Sequence, residues 1–417
     1  MQLRLHDNVQ FIYELVLAQR ELDAAGISYD LPDDLRVFQT KGRLAAGSRQ
    51  YLLRRSAYFK SVGRKLTDYH FIQQYNRTQS VNQYLTHWFY PYKGKFHPQM
   101  IRALLGIIGL GPGDLVLDPF IGSGTTAVEA QLLGINCIGI DASPLCCLIS
   151  RVKTGAWEAL EQIEAAADYV APCADSTAQA RLFRAPDERE LPEGPVKDFF
   201  DLAEMIARSD ASRRRNNALE AFVRNRDRML KSVHDHLEVK EKLGLRFGEV
   251  HIHQADAREL PLQDQSVDGI VTSPPYSIAL NYVKNDAHAL EAMGYNLEEL
   301  SERFIGVRGT GKERFELYEQ DMRQAAGEMC RVLKPGAQCV VVIGNVTYQE
   351  KEVDTSGMLR SACQQAGLKL ERQIDKIIFG LYNVMQREYV LFFSKPSKAS
   401  AGKRERRRPA ARGERKQ

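Results

Sequence analysis

Residues 115–133 constrain the fold more than any other part of this 417-residue chain. The short apolar run 115–117 leads into Asp118-Pro-Phe-Ile-Gly-Ser-Gly-Thr-Thr, and an apolar stretch of helical composition follows. This order of strand, glycine-rich turn and helix is typical of the opening half of a nucleotide-binding α/β unit. Gly122 and Gly124 permit close approach of a ligand to the backbone, and the helix N-terminus adds a positive dipole end. Because the full dinucleotide pattern G-x-G-x-x-G is absent, the glycines alone are weak evidence for a cofactor.

A second apolar run, residues 136–140, ends on Asp141. In nucleotide-binding α/β units, a carboxylate at the end of the second strand suits the hydroxyl groups of a ribose. The ordinary alternative is that Asp141 caps the helix that follows.

Residues 272–276, Thr-Ser-Pro-Pro-Tyr, follow the apolar run 267–271 and form a motif that could grip a flat ring with an amino group. Proline has a fixed φ and no N–H, so this segment is stiff. The Ser273 hydroxyl and a carbonyl of Pro274 or Pro275 can accept hydrogen bonds from an –NH₂ group, and Tyr276 offers a stacking face. The alternative is a rigid turn at the exit of a strand.

The two motifs together resemble the AdoMet-dependent DNA amino-methyltransferases, which modify N4 of cytosine or N6 of adenine. The resemblance covers roughly residues 90–395, except about 151–248. It implies S-adenosylmethionine as the methyl donor, with its ribose on Asp141 and its adenine on Asp256. It also implies that its methionine part lies on the glycine loop, whose predicted contacts are Asp118, Phe120, Gly122, Ser123, Gly124 and Thr125. Residues 92–98, with Lys95 and His97, look like the family's additional cofactor-binding segment; a basic loop without that role is the alternative.

The predicted chemistry needs no covalent nucleophile and no metal. An exocyclic amine can attack the sulfonium methyl directly when hydrogen bonds to Ser273 and to a proline carbonyl localise its lone pair, so positioning carries most of the catalysis. The target base must leave the duplex stack, and Tyr276 can hold the flipped base. Carbon-5 methylation is disfavoured, because neither Cys146 nor Cys147 lies in a Pro-Cys loop.

Within the resemblance, a serine at the first position of the proline motif is commoner among cytosine-N4 enzymes, whereas adenine enzymes more often have aspartate. We therefore predict methylation of cytosine N4 in duplex DNA. Three alternatives stay open at this point: adenine N6 in DNA, guanine N2 in tRNA or rRNA, and a DNA-binding regulator that has this fold without catalysis.

The resemblance implies a Rossmann-like seven-stranded class I methyltransferase sheet, mostly parallel with an antiparallel last strand. The β-like runs at 368–379 and 387–393 would complete that sheet. The predicted division of the chain is a helical N-terminal region (1–85), a catalytic domain (86–150 and 246–396), a helical insertion (151–245) and a basic disordered tail (397–417).

Several segments are candidates for contact with DNA. The insertion carries a basic stretch from Arg213 to Lys231 and could read the target sequence, although a solvated helix face is the alternative. The N-terminal region carries basic residues such as Arg54 and Arg55, which could contact DNA. The alternative is that this region only covers one face of the sheet. The tail has nine basic and two acidic residues, and it could bind the phosphate backbone nonspecifically or act as a solubilising extension. After the proline motif, Asn281 and Tyr282 could line the base pocket or serve as cap and core.

Composition agrees with this class of protein. No apolar run approaches a membrane span, and residues 1–7 lack the apolar region of a signal peptide. The seven cysteines include no C-x-x-C pair, which argues for a reducing cytoplasm and against structural zinc. We expect a cytoplasmic enzyme whose partner is DNA and, as a further possibility, a cognate restriction endonuclease; RNA is the less favoured substrate.

Overall fold

The computed structural model describes the following residues: 1–31, 34–76, 78, 80–172, 182–184, 191–214, 217–275, 281–348, 351–379 and 385–397. Their sixteen strands are β1 (Gln2–Leu5), β2 (Tyr29–Asp30), β3 (Val37–Thr40), β4 (Phe59–Val62), β5 (Lys65–Leu66), β6 (Leu115–Asp118), β7 (Asn136–Asp141), β8 (Ala171–Pro172), β9 (Phe183–Arg184), β10 (Val250–Gln254), β11 (Val267–Thr272), β12 (Leu333–Gly344), β13 (Val346–Tyr348), β14 (Lys351–Val353), β15 (Lys369–Phe379) and β16 (Met385–Ser394). Their fourteen α-helices are α1 (Ile12–Ala24), α2 (Ala46–Arg55), α3 (Asp68–Gln74), α4 (Pro98–Ile107), α5 (Thr125–Leu132), α6 (Pro144–Gly155), α7 (Leu160–Ala167), α8 (Pro195–Arg214), α9 (Ala218–Leu243), α10 (Tyr282–Asn285), α11 (Ala287–Ala292), α12 (Leu297–Ser301), α13 (Gly311–Val332) and α14 (Thr355–Gln365). Two short 3₁₀ helices span Leu85–Trp88 and Ala156–Ala159.

The main sheet has seven strands in the order β10-β7-β6-β11-β12-β16-β15. The first five of these run parallel to one another, and β16 is antiparallel to both of its neighbours. The prediction of a mostly parallel seven-stranded sheet with an antiparallel last strand is therefore confirmed. The chain moves from β6 outward to β10 on one side, and then returns to β11 and continues on the other side. The order of the strands reverses between β6 and β11, which is where ligands bind in open α/β sheets.

Alternate residues of the central strands supply two separate cores, as expected for a sheet that is covered on both faces. On β12, Val340 and Val342 pack with α1, α4 and the N-terminal strands. The intervening Cys339 and Val341 pack instead with α13 and α14. Both faces are therefore covered, and the sheet edge at the carboxyl ends of the strands is the place left for a site.

The N-terminal region is not simply helical, and that part of the prediction is wrong. Besides α1, α2 and α3 it contains a five-stranded antiparallel sheet in the order β2-β3-β1-β4-β5. These strands have two to four residues each, too few to show an alternation of apolar and polar residues that could be told from helical periodicity. Leu3, Leu5 and Phe59 of this sheet are buried in the same core as α4, so the region covers one face of the main sheet.

The insertion is helical, as predicted, and it forms a layer packed on α6. Its long helices α8 and α9 lie against each other, and they share a core with α6 and α11. The short pair β8–β9 joins this layer. No helix in the described part of the chain is both long enough and apolar enough to span a membrane. The basic tail falls almost wholly outside the described residues.

Candidate active site

A cavity of about 870 Å³ opens at the carboxyl ends of the parallel strands. Its volume lies within the roughly 300–1,000 Å³ of typical small-molecule sites. The predicted site residues that line it are Lys95, Phe120, Gly122, Ser123, Thr125, Asp141, Asp256, Ser273 and Pro275. Asp118, Gly124, His97 and Pro274 do not line it, and Tyr276 lies outside the described residues. The fold thus brings most of the two motifs to one cavity, although they are far apart in the sequence.

The glycine loop is a tight left-handed turn at the start of α5. Gly122 and Gly124 have φ values of +49° and +76°, in the region that favours glycine. A Cβ added to Gly124 would lie 2.8 Å from Oγ of Ser150, so the loop packs closely on α6. Beneath the loop, the buried Lys153 donates a hydrogen bond of 2.6 Å to the Ser123 carbonyl. The loop therefore has a fixed shape, with Gly122 and Ser123 facing the cavity.

Asp118 joins the two motifs from behind the cavity wall. Its Oδ1 accepts a hydrogen bond of 2.6 Å from Thr272, and its Oδ2 accepts one of 2.7 Å from Thr126. The Phe120 amide donates a third, at 3.1 Å. Burial raises the pKa of Asp118 to about 6, and the hydrogen bonds from Thr272 and Thr126 oppose that rise. Asp118 is thus placed to position the glycine loop against the proline motif, whereas the resemblance implied direct contact with the cofactor.

Asp141 lines the cavity and also supports the loop. Its two carboxylate oxygens accept hydrogen bonds of 2.9 Å from the Gly122 and Ser143 amides. The Cys146 side chain is a third hydrogen-bond partner, so part of the lone-pair capacity of the carboxylate is left for a ligand. Burial raises the pKa of Asp141 to about 6. The capping alternative does not apply, because the N-cap of α6 is Ser143, whose hydroxyl accepts from the Cys146 amide.

Asp256 also lines the cavity, but it is already held by Arg258. The Arg258 guanidinium approaches both carboxylate oxygens, with distances between 2.6 and 3.0 Å. Arg258 also reaches Asp321 on α13 at 2.9 Å. Arg308, from the glycine-rich loop before α13, pairs with the same Asp321. This chain of charged groups connects the predicted adenine site to that loop.

Lys95 and His97 differ in position: Lys95 lines the main cavity, and His97 does not. The Lys95 ammonium donates to the His87 carbonyl, and burial lowers the pKa of Lys95 to about 7. His97 is the N-cap residue of α4, and burial lowers its pKa to about 3. His97 lines a second, smaller cavity of about 280 Å³, which shares Lys95 with the main one. Of the two residues, only Lys95 is positioned to contact a ligand in the main cavity.

The proline motif presents Ser273 and Pro275 to the cavity at the end of β11. The Pro275 carbonyl accepts a hydrogen bond of 2.7 Å from the Tyr318 hydroxyl. Because Tyr318 on α13 is otherwise buried, this bond ties the motif to the helix behind it. Because a carbonyl oxygen has two lone pairs, the Pro275 carbonyl can still accept from an amino group, and Pro275 lines the cavity together with Ser273, whereas Pro274 does not.

Aromatic side chains form a wall of the cavity that motif reading found only in part. The rings of Tyr92 and Tyr282 stack with centroids 6.1 Å apart. Tyr282 lines the cavity, as one of the two interpretations predicted. Asn281 instead caps α10, because its side chain accepts from the Lys284 amide. Tyr92 falls within the segment 92–98 that the resemblance singled out, although the residues named there were Lys95 and His97.

A buried polar network lies under the glycine loop and was not predicted. Glu129 on α5 accepts hydrogen bonds from Tyr84 at 2.5 Å, from His87 at 2.9 Å and from Arg102 at 3.2 Å. Burial opposes the charge on Glu129, yet the bonds from His87 and Arg102 lower its pKa. Burial also lowers the pKa of His87 to about 4, so the neutral ring donates through Nε2. The network joins α4 and α5 to the segment that leads to Lys95.

Several basic residues proposed for DNA contact are engaged within the protein. Arg55 donates to the carbonyls of Leu110 and Leu133. Arg54 pairs with Asp68 and donates to the Leu243 carbonyl. On α9, the Arg228 guanidinium lies 4.5 Å from the centre of the Trp88 ring. These cations hold segments of the fold together, so the alternative of a structural role is favoured for them.

Comparison with known proteins points to one enzyme class. Residues 89–316 match the model of the family UPF0020, described as an RMKL-like methyltransferase domain. The type II methyltransferase M.MjaII of Methanocaldococcus jannaschii is 52% identical over 67 residues, covering 16% of this chain and 12% of that protein. The type II methyltransferase M.BsoBI of Geobacillus stearothermophilus is 37% identical over 108 residues, covering 26% and 19%. A tRNA (guanine(10)-N2)-dimethyltransferase of Methanothermobacter thermautotrophicus is 39% identical over 54 residues, covering 13% and 16%. The chain spans less than a fifth of the length of each of these relatives.

Proposed function

Because this chain belongs to the UPF0020 family of RMKL-like methyltransferase domains, we propose that it transfers a methyl group from S-adenosylmethionine to N4 of a cytosine in DNA. The observation that carries the proposal is the hydrogen bond from Thr272 to Asp118. It joins the glycine loop to the proline motif, so that Gly122 and Ser273 line one cavity. A loop for a methyl donor and a motif for an amine thus face the same space.

The residues of the cavity fit S-adenosylmethionine. Gly122 and Ser123 present a loop without bulky side chains, and Asp141 keeps acceptor capacity for a ribose hydroxyl. A side chain at position 122 would approach Tyr92, since an added Cβ would lie 3.3 Å from that ring. Lys95 would lie near the methionine end and Asp256 near the adenine. When bound, this donor supplies an electrophilic methyl group on a sulfonium.

In the proposed reaction, the protein orients the exocyclic amine of the target base toward the methyl group of the donor. The Ser273 hydroxyl and the second lone pair of the Pro275 carbonyl would accept hydrogen bonds from the amino group and localise its lone pair. Tyr318 holds the Pro275 carbonyl and thereby the shape of the motif. The target base would leave the duplex stack to reach Ser273, with Tyr276 as its proposed stacking partner. Rate enhancement in this scheme comes from positioning.

The choice of cytosine rests on Ser273. A neutral hydroxyl at the first position of the motif is commoner in the cytosine-N4 enzymes that this chain resembles than in the adenine-N6 enzymes. The relatives named type II methyltransferases agree with a DNA substrate. We further propose action in the reducing cytoplasm, with a restriction endonuclease of the same specificity as a partner; the six cysteines in the described part of the chain are free.

The second candidate is methylation of guanine N2 in RNA. It is favoured by the match to a tRNA (guanine(10)-N2)-dimethyltransferase. That match covers 13% of this chain, about the same share as the 16% that matches the first type II methyltransferase. The length of the matching segments therefore does not distinguish a DNA substrate from an RNA substrate. The distinction requires identification of the methylated product.

The test is incubation of the full chain with labelled S-adenosylmethionine and unmodified duplex DNA, tRNA or rRNA, followed by mass spectrometry of the nucleosides. We expect N4-methylcytosine from DNA. Ser273→Ala should abolish most of the transfer, whereas Ser266→Ala, just before the opposite end of β11, should not. N6-methyladenine as the product would show that the target base is adenine. N2-methylguanine from RNA would show that the substrate is RNA. Binding of DNA without any transfer would favour the regulator.

A further inference from the structure

One wall of the main cavity is built by residues that none of the motifs contains. It follows the carboxyl end of β12 and includes Asn345, together with Glu352 of β14. Thr272 pairs with Val341 in parallel register, so β11 and β12 end at the same edge of the sheet. Neighbouring strands lie about 4.8 Å apart. Asn345 lies three residues beyond the position level with Ser273, and both residues line the same cavity, with β12 on the side of β11 away from the glycine loop.

The amide of Asn345 is fixed by two hydrogen bonds. Its Nδ2 donates to a carboxylate oxygen of Glu352 at 2.8 Å, and its Oδ1 accepts from the Ser356 amide at 3.1 Å. A carboxylate can only accept and a backbone N–H can only donate, so the orientation of the amide is determined by its partners. The second N–H of Asn345 enters no hydrogen bond among the described residues. A donor in fixed orientation thus borders the cavity that Ser273 also lines.

We propose that Asn345 is a specificity-determining residue, which donates this second N–H to the ring nitrogen beside the exocyclic amine of the target base. In cytosine that atom is N3, an acceptor next to the N4 amino group. Ser273 would accept from the amine while Asn345 donates to N3, so the pair matches the order of donor and acceptor on the cytosine edge. Glu352 and the Ser356 amide position Asn345. The inference rests on the proposed function, because it takes Ser273 as the site of the amine.

The chemistry also explains what the pair would exclude. In guanine, the N2 amino group lies between N1, which carries a proton, and N3, which is an acceptor. Two donors would face each other only when the base enters with N1 on the side of Asn345. Adenine presents an acceptor, N1, beside its N6 amine and would be less strongly excluded by Asn345 alone. Asn345 therefore opposes guanine in one of its two orientations, and it opposes adenine less.

The experiment compares two substrates and several variants. Once the methylated sequence is known, duplex oligonucleotides carry either cytosine or 3-deazacytosine at the target position; the second has C–H in place of N3. For the wild-type chain, we expect kcat/KM to fall about tenfold on the deaza substrate, the effect of one lost hydrogen bond. Asn345→Ala and Asn345→Asp should be slower on cytosine and should no longer distinguish the two substrates. Glu352→Gln, which can still accept from Asn345, should retain the discrimination.

Two controls make the outcomes separable. Asn296→Asp makes the same chemical change at the N-cap of α12, where aspartate caps equally well, and should leave the ratio of the two rates unchanged. Calorimetric binding of S-adenosylhomocysteine should be equal in wild type and in the Asn345 variants. If the wild type methylates cytosine but accepts 3-deazacytosine equally well, the inference is overturned while the proposed function stands. If it transfers no methyl group to cytosine in any DNA, both are overturned.

Discussion

Thr272 donates a hydrogen bond of 2.6 Å to Asp118, across 154 positions of sequence. Thr272 is the last residue of β11 and Asp118 is the last residue of β6, and both are buried. The bond fixes the residue that precedes Ser273 against the residue that begins the glycine loop. In the proposed reaction, the amine and the methyl group must meet within a few tenths of an ångström of their productive distance. Together with the pairing of β6 and β11, this hydrogen bond directly connects the two halves of the site.

Thr272→Val should therefore reduce methyl transfer much more than it reduces cofactor binding. Valine has nearly the shape of threonine but cannot donate, and it leaves Oδ1 of the buried Asp118 with only the longer bond from the Phe120 amide. The free energy of unfolding should fall by about 1–3 kcal/mol. We expect kcat to fall while the dissociation constant of S-adenosylhomocysteine changes little, as measured by steady-state kinetics and calorimetry. Thr310→Val, at an exposed N-cap whose side chain makes no capping bond, is the matched control. Equal kcat in wild type and Thr272→Val would contradict the positioning role.

Cofactor affinity should depend on pH through Asp141. Its pKa is raised to about 6 by burial, and the ionised carboxylate is the form that accepts best from a ribose hydroxyl. The contribution of Asp141 to the affinity should therefore be complete above about pH 7 and should weaken as the pH falls through 6, by up to ~tenfold per pH unit. Lys95, with a pKa of about 7, titrates in the same range, so the difference between wild type and Asp141→Asn isolates the contribution of Asp141. Calorimetric titration with S-adenosylhomocysteine between pH 5 and pH 8 measures this. Asp141→Asn should bind weakly and with little dependence on pH, whereas the exposed Asp375→Asn should behave as wild type. A flat wild-type profile would rule out titration of Asp141 in this range.

The sequence predicts the central strands β6 and β12 well, because both are apolar runs with glycine and proline beside them. The helix α13 and the strand β12 meet within a few residues of Lys334-Pro335-Gly336, where the stop signal lies. The N-terminal sheet could not be predicted, since strands of two to four residues have no readable period. An element of secondary structure can thus be predicted from the sequence when it is long enough to show a periodic pattern of apolar residues.

The candidate site divides in the same way. Gly122, Asp141 and Ser273 are found from sequence because local motifs carry them. The role of Asp118 depends on the adjacency of β6 and β11, which only the order of the strands reveals. Asn345 and Glu352 belong to no motif. In the sequence, Glu129 is only one polar residue of a helix, and its importance follows from its contacts with Arg102 and His87. Contacts between distant segments are a property of the fold, so motif reading does not reach them.

Glu129 should be one of the most sensitive positions for stability. Glu129→Gln removes the charge that compensates the buried Arg102 and weakens the bonds from Tyr84 and His87. Breaking a buried ion pair on one side typically costs about 3–5 kcal/mol, because the remaining charge is left uncompensated. Glu164→Gln removes the carboxylate of an exposed pair with His234 and should cost about 1 kcal/mol or less. Urea denaturation of both variants measures the difference, and equal losses would contradict this ranking.

Gly124 should tolerate no side chain, because an added Cβ would collide with Ser150. This effect can be separated from the strain of its positive φ. Gly124→Ala would place a Cβ 3.0 Å from the backbone Cα of Ser150, in addition to the strain of a positive φ. Gly294 has a similar φ of +84°, and an added Cβ there would meet nothing within 4 Å. Gly294→Ala should therefore lose only the left-handed backbone term, about 1–2 kcal/mol. Gly124→Ala should lose more, and it should also weaken binding of S-adenosylhomocysteine, since the loop must move away from α6. Thermal unfolding and calorimetry of the two variants give the comparison; equal losses of stability with unchanged binding would show that the close packing of the loop on Ser150 contributes nothing to the site.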